Sequence, residues 1–293
     1  MCVVDKTHIF YYEGVMNSIK CLKEIEDKLK SIPSFKEDAI TIMEMALNIN
    51  KSYILAGVEI NEKELETINS FVARRLDGEP IQKLKGYTEF LNLKILFNEN
   101  TLTPRMETEI FADMVIKYIN SKREKLRVLD LCSGSGCIGL GIIKNTNADV
   151  VLSDISEFAI NHIKENAKLN NIDANVVKSD MFKNISGNFD IIISNPPYLK
   201  TEELASLEKE VDLYDPKLAL DGGIDGLKFY KEIANNLNKF LKLNGDLFLE
   251  IHYALGETTK EIFESYFERV EIKKDYGNLD RFICCYNRKE RIC

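Results

Sequence analysis

The stretch "RVLDLCSGSGCIGL", residues 127–140, decides how the chain is read. Its first five residues make a short apolar strand that runs directly into a glycine-rich turn and an apolar helix start. In a doubly wound sheet the turn after the first strand lies at the topological switch point, where ligands bind. Gly134 and Gly136 permit close backbone approach, and the helix that follows offers free N–H groups at its positive dipole end. Such a turn suits a carboxylate as well as a phosphate. Cys132 stands where G-x-G-x-x-G has its first glycine, so the turn alone is equally compatible with a plain strand-to-helix connection.

On the C-terminal side of this turn, strands and helices alternate. Strand candidates are "DVVLSD" (149–154), "ANVVKS" (174–179), "DIIIS" (190–194), "GDLFLEI" (245–251) and "RFICCY" (281–286). Helical stretches such as "SEFAINHIKENAKLN" and "GLKFYKEIANNLNKFL" lie between them. Short apolar strands separated by crossover helices predict an α/β domain built on a mostly parallel sheet covered on both faces. On the N-terminal side, residues 15–85 read as helical: Ile19, Leu22, Ile25 and Leu29 recur at helical spacing, and Asn61 with Glu64 forms a capping signature. Gly78 and Pro80 are expected to end that helical region. "YTEFLNLKILFNENTL" (87–102) partly alternates and predicts a hairpin at the joint. The division expected is 1–85 helical, 86–102 a β-hairpin linker, and 103–293 the sheet domain.

Composition narrows the function classes. The formal net charge of −8, with both signs interspersed, offers no basic run of the kind that neutralises phosphates, so direct nucleic-acid binding is not expected. No run approaches the roughly 18 apolar residues of a membrane span, and the N-terminus is not built as a secretory signal. A cytoplasmic protein is the expectation. The seven cysteines (Cys2, Cys21, Cys132, Cys137, Cys284, Cys285, Cys293) contain no C-x-x-C pair, which predicts reduced thiols and no metal site.

The strand ends carry the chemistry. Asp154 can accept hydrogen bonds from both hydroxyls of a ribose, or cap the helix that starts near Ser156. In "KSDMF", Asp180 can accept from an adenine amino group, with Met181 or Phe182 packed on the base; the alternative is again a cap and a core residue. The fourth strand ends in "SNPPYLK" (194–200), whose two prolines have no N–H to donate to a ladder. Glycine turn, ribose acid, adenine acid and NPPY fall at successive strand ends on one sheet edge. With no second nucleotide site following, the pattern points to S-adenosylmethionine. A planar amide or aryl amine has a delocalised lone pair and attacks a methyl group poorly. The Asn195 side-chain oxygen and the Pro196 carbonyl can hold its two N–H groups, and the proline rings restrict the loop beforehand.

"SNPPY" together with "DLCSGSG", "RRLDGEPIQKLKG", "LTPRMETE" and "YDPKLALDGGIDGL" resembles the release-factor glutamine methyltransferases, the HemK/PrmC family, over nearly the whole chain from about residue 36. The resemblance implies a small N-terminal helical domain, a β-hairpin linker and a seven-stranded, mostly parallel, Rossmann-like methyltransferase domain with an antiparallel strand near its end. It implies S-adenosylmethionine as cofactor, and as substrate the glutamine of the Gly-Gly-Gln loop in class-1 peptide release factors, with the helical domain as docking surface. It places Cys132, Ser133, Gly134, Ser135 and Gly136 around the methionine end of the cofactor, Asp154 on the ribose, and Asp180 and Met181 by the adenine. Asn195, Pro196, Pro197 and Tyr198 would hold the acceptor glutamine, with Asn195 also touching the cofactor.

"PRMETE" (104–109) is expected either beside the cofactor or simply as a helix start, and Phe90 either in the acceptor pocket or in the core. The chain departs from the family pattern at Cys132, at Asp215 in place of glutamate, and at His252 in place of glycine. His252 is expected to pack or face solvent rather than act as a base. Two competing substrates remain: a glutamine of a ribosomal protein, and an exocyclic amine of a DNA or RNA base.

Overall fold

The computed structural model describes residues 16–97, 101–207, 211 and 214–290. Expectations that fall on residues 1–15, on 98–100 of the hairpin segment, and on Cys293 lie outside the described residues. The chain divides between Lys85 and Gly86 into two compact units, and the hairpin belongs to the second. Among the described residues no helix is long and apolar enough to cross a membrane.

The first unit holds α1 (Ser18–Leu29), α2 (Phe35–Leu47), α3 (Lys51–Ala56), α4 (Glu62–Leu76) and α5 (Ile81–Lys85), with a two-residue bridge between β1 (Met16–Asn17) and β2 (Glu59–Ile60). Leu22, Ile25 and Leu29 of α1 are buried as their spacing predicts, but Ile19 is half exposed and Cys21 takes the inward position beside them. The α4 cap forms: the Glu64 N–H donates to Asn61 Oδ1 at 3.0 Å and the Asn61 N–H donates to Glu64 Oε2 at 2.9 Å. A buried ion pair, Arg75 Nε to Asp38 Oδ2 at 2.7 Å, ties α4 to α2. Pro80 does not end the helical region. Its carbonyl accepts the Leu84 N–H at 3.1 Å and it opens α5, because proline fits just ahead of a first turn, where its missing N–H costs nothing.

The second unit begins with the hairpin β3 (Tyr87–Phe90) and β4 (Leu93–Leu96), then α6 (Met106–Ser121), β5 (Arg127–Leu131), α7 (Cys137–Asn145), β6 (Asp149–Asp154), α8 (Glu157–Leu169), β7 (Asn175–Lys178) and β8 (Phe189–Ser194). It continues through α9 (Lys228–Phe240), β9 (Leu241–Glu250), α10 (Gly256–Glu264), β10 (Phe267–Lys274) and β11 (Asp280–Arg288). Seven strands form one sheet in the order β10-β11-β9-β8-β5-β6-β7, in which β11 runs antiparallel to both neighbours and β5 to β9 pair in parallel. β10 is the strand that sequence patterning missed. It is an edge strand carrying Glu268, Arg269, Glu271, Lys273 and Lys274, and such charge hides strand character while protecting the edge.

Each face of the sheet has its own apolar core. Ile191, Ile193, Phe248 and Phe282 meet α6 and α7 on one face; Leu129, Ile192, Leu247 and Leu249 meet α9 and α10 on the other. Cys284 and Cys285 alternate in β11, one into each core, and the five described cysteines are free thiols. The hairpin is fastened by amides rather than by a longer sheet. Asn166 of α8 accepts the Leu96 N–H at 2.8 Å and donates Nδ2 to the Leu96 carbonyl at 3.0 Å, and Asn170 serves Lys94 in the same way. Asn166 Nδ2 also donates to the Ser135 carbonyl at 2.9 Å, so one fully buried side chain holds both hairpin and glycine turn. Asn166→Ala should therefore cost on the order of 2–4 kcal/mol, the penalty for several buried backbone groups left unpaired. Urea denaturation checks this, and a loss below about 1 kcal/mol would show that water replaces the amide.

Candidate active site

Parallel β5 is flanked by β6 on one side and β8 on the other, so the connections after β5 and β8 pass to opposite faces and a crevice opens between their carboxyl ends. The turn after β5 is left-handed three times, at Cys132 (φ 59°), Gly134 (φ 55°) and Gly136 (φ 80°). Cys132 thus keeps the backbone shape that glycine adopts easily, at a strain cost of about 1 kcal/mol or more. Its Sγ lies 3.8 Å from Met181 Sδ, and burial pushes its thiol pKa up, so it lines the wall as an inert group.

Ser133 staples the turn: Oγ donates to the Asp130 carbonyl at 2.9 Å and accepts the Ser153 N–H at 3.0 Å. The Asp130 carboxylate is fully buried, accepts the Gly139 N–H at 3.0 Å, and has its pKa pushed up to about 7 by burial. A Cβ at Gly139 would meet Leu152 at 2.5 Å and Asp130 at 2.8 Å, so α7 packs this close to the sheet only with glycine there. A Cβ at Gly134 would meet nothing within 4 Å.

That open space belongs to a cavity of about 410 Å³. Cys132, Ser133, Gly134, Ser135, Asp154, Asp180, Met181, Asn195 and Pro197 line it; Gly136, Pro196 and Tyr198 do not. Gly136 instead begins the helix, its N–H bonded to the Ser133 carbonyl at 2.7 Å. Asp154 accepts the Gly134 N–H on Oδ2 and the Ser156 N–H on Oδ1, each at 2.9 Å. Each carboxylate oxygen has a second lone pair left for a ligand hydroxyl. Ser156, not Asp154, caps α8. Asp180 also lines the cavity, with its carboxylate paired to Lys183. Met181 (φ 47°) reaches the cavity, whereas Phe182 turns into the core and stacks on Phe240 at 4.8 Å, which removes it from any ligand face.

On the β8 side, Ser194 Oγ donates to the Leu131 carbonyl at 2.7 Å and anchors the start of NPPY. Asn195 Nδ2 donates to Thr108 Oγ1 at 3.4 Å, which leaves Oδ1 for a ligand. Pro196 is buried, and the Tyr198 ring packs on the core beneath α9, 5.9 Å from the His252 ring. His252 itself lies 4.3 Å from the Tyr253 ring, tilted against it, and accepts the Ala254 N–H at 3.4 Å, and burial lowers its pKa. It packs, as expected.

"PRMETE" divides its work. Pro104 and Thr108 line the cavity, Arg105 pairs with Asp215 at 3.5 Å, and Glu109 accepts the Leu91 N–H at 2.9 Å to hold the hairpin turn. The segment does start α6, as one of its two readings expects, and two of its residues also line the cavity. Phe90 is core, not cavity. Sequence reasoning missed Thr103, Ser153, Phe158 and the wall formed by Pro216, Leu218 and Lys228. The clue for that wall was "YDPKLALDGGIDGL", a motif whose physical task only the fold displays. Leu199 donates its N–H to the Leu220 carbonyl at 2.9 Å and accepts from Gly222 at 2.7 Å. A Cβ at Gly222 would sit 2.7 Å from Tyr198 Cα, and one at Gly226 would sit 2.6 Å from the Tyr198 carbonyl oxygen. The glycines let one loop press on the backbone of the other.

The site therefore combines a cradle for a nucleoside-sized ligand with an amide oxygen presented from a restrained loop. Residues 20–86 match the PrmC N-terminal domain and residues 106–210 the methyltransferase small domain. The release factor glutamine methyltransferase of Thermodesulfovibrio yellowstonii is 37% identical over 92% of this chain and 99% of its own length. That of Chlamydia trachomatis serovar L2 is 34% identical over 92% and 94%. Among solved structures, the hMettl16 catalytic domain in complex with MAT2A 3'UTR hairpin 6 superposes over 82% of this chain and 87% of its own, with a TM-score of 0.55 at 15% identity, a likeness of fold.

Gly222→Ala should push the two loops apart and lower stability by about 1–3 kcal/mol, the usual cost of overpacking. Chemical denaturation measures it; an unchanged midpoint would mean that the 220–223 turn retreats freely.

Proposed function

Because the chain belongs to the release factor glutamine methyltransferase family, we propose that it methylates the side-chain amide nitrogen of the glutamine in the Gly-Gly-Gln loop of class-1 peptide release factors, using S-adenosylmethionine. The observation that carries this reading is the polarity of Asn195: its amino group points to Thr108, donating one N–H there, and its oxygen is left to accept.

The residues present fit the cofactor. A cavity of about 410 Å³ is within the usual range for such ligands, roughly 300–1,000 Å³. Gly134 opens into it where any Cβ would intrude, Asp154 offers two free lone pairs for ribose hydroxyls, and Cys132 and Met181 supply a soft apolar wall. Asp180, tied to Lys183, offers its remaining acceptor capacity to an adenine amino group. When bound, S-adenosylmethionine supplies an electrophilic methyl group on a sulfonium.

The chain's own residues handle the nucleophile. Asn195 Oδ1 and the Pro196 carbonyl accept the two N–H groups of the acceptor amide. This stops rotation of the amide and leaves more electron density on nitrogen. Since the nitrogen is neutral before transfer, no strong base is needed first, and one proton passes to solvent once the new N–C bond has formed. Neither the buried Cys132 thiol nor His252, whose pKa is lowered by burial, is required for that. The helical unit, residues 16–85, serves in this reading as the docking surface for the release factor, and a cytoplasmic site of action goes with such a partner.

Labelled methyl transfer to purified release factor, followed by mass mapping to the glutamine, tests the assignment. Asn195→Ala should lower turnover about 100-fold or more, the scale of losing one preorganised hydrogen-bonding group at the reacting centre, with cofactor affinity unchanged. Asp154→Ala should show the reverse, with cofactor affinity falling about tenfold or more by calorimetry. Full turnover by Asn195→Ala would sink the acceptor role. A folded chain lacking residues 1–85 should bind cofactor normally and fail to methylate intact release factor; undiminished methylation would remove docking from the helical unit.

A further inference from the structure

Glu250 ends β9, one position beyond Leu249, which pairs with Ser194 of β8. In parallel neighbours of this register Asn195 and Glu250 follow side by side and point to the same face, the one covered by α6. Thr108 of α6 stands on that face, buried, with Oγ1 3.4 Å from Asn195 Nδ2, and its hydroxyl is the group that most favours the ionised form of the Glu250 carboxyl. Glu250 is 2% exposed, and its Oε2 is buried without a hydrogen-bond partner. A half-satisfied buried acid beside an acceptor clamp is expensive to keep.

We propose that Glu250 sets the polarity of the acceptor clamp through Thr108: a positioning relay from carboxylate to hydroxyl to the Asn195 amide. An ionised carboxylate can only accept, so the Thr108 hydroxyl donates to it. The oxygen of Thr108 is then left to accept, which draws Asn195 Nδ2 toward it and turns Oδ1 outward to the substrate N–H. A protonated Glu250 donates instead. The Thr108 hydroxyl is then free to donate to Asn195, which favours the flipped amide and presents an N–H to a substrate N–H. The clamp is competent in one protonation state only.

Other groups around Glu250 bias that state. Arg105, ahead of α6, and Arg281 of β11 favour the carboxylate; Glu107 of α6 and burial oppose it; Tyr198, Tyr230 and Cys137 lie near enough to feel its charge. Burial prevails, with the pKa raised to about 7. The relay is therefore set above about pH 7 and lost as pH falls through it. The Tyr230 hydroxyl, bonded to the Glu250 carbonyl at 3.1 Å, fixes the backbone from the opposite face.

The relay rests on the reading of Asn195 as the acceptor clamp, so the test carries one readout that needs no substrate. In the cofactor-free chain the ¹⁵N shift of the Asn195 side-chain amide should titrate with a midpoint near 7, as Glu250 does by ¹³C. It should do the same in Thr108→Ser, and stay flat in Thr108→Val and Glu250→Gln. In turnover with release factor, wild type and Thr108→Ser should lose about tenfold between pH 8 and pH 6. Glu250→Gln and Thr108→Val should be slow by about tenfold or more at pH 8 and show no such acid limb, with cofactor affinity unchanged. His252 is intact in both, so a limb of its own would persist in them. An Asn195 signal indifferent to pH in wild type, or an acid limb retained by Glu250→Gln, overturns the relay. Coupled titration without methyl transfer at any pH supports the relay and overturns the acceptor reading instead.

Discussion

The branching of the chain at β5 is the constraint on which the rest depends. Because β6 and β8 pair in parallel on either side of it, the connections after β5 and β8 must pass to opposite faces, and the backbone between them parts. Everything at the site lies along that opening. The glycine turn leaves from β5, Asp154 from β6, Asp180 from beyond β7 and Asn195 from β8. Ser133 and Ser194 reinforce the branch by hydrogen bonding to carbonyls of β5 itself, at Asp130 and Leu131. A shift of β5 would move both halves of the site at once.

The two sides of the opening are braced differently. The side formed by the glycine turn is held by its own residues, since the turn folds back on Asp154 and Ser153, and Asn166 links it to the hairpin. NPPY has little of this, because two of its four residues lack an N–H. It is supported from outside, by the 220–226 loop, whose glycines admit backbone-to-backbone contact on Tyr198, and by Thr108 reaching Asn195 from α6. A restrained loop that cannot brace itself must borrow rigidity, which explains why a distant glycine-rich segment accompanies it.

The same difference explains what the sequence revealed. The glycine turn, Asp154, Asp180 and Asn195 were legible because strand-end chemistry is local: a short apolar run, then a polar group at a fixed offset. β5, β6 and β8 were legible through their apolar runs, and the α4 cap through residues three apart. β10 was not, because its charges obey the needs of an edge rather than the alternation of a covered strand. Thr108 and the 216–219 wall were legible only as parts of motifs, since the contacts that bring them to the cavity are long-range packing. Pro80 and Phe182 misled for a related reason. Each had a correct local chemistry, a helix breaker and an aromatic beside a ligand acid, that the neighbouring elements redirected.

Two buried acids set the balance between stability and chemistry. Asp130 and Glu250 both end near a pKa of 7, above the ordinary carboxylate range, and each has an oxygen without a hydrogen-bond partner. For a group whose folded pKa is raised, the stabilising contribution is present below the unfolded pKa and lost as pH rises through the folded one. Both acids therefore favour the fold while protonated and weaken it as pH climbs to about 7. A hydrophobic residue at either place would avoid that loss. Asp130 repays it locally, through the Gly139 N–H that starts the helix over the cavity. Glu250 has no such backbone partner on its carboxylate; the group that most favours its ionised form is the Thr108 hydroxyl, which also accepts from the Asn195 amide.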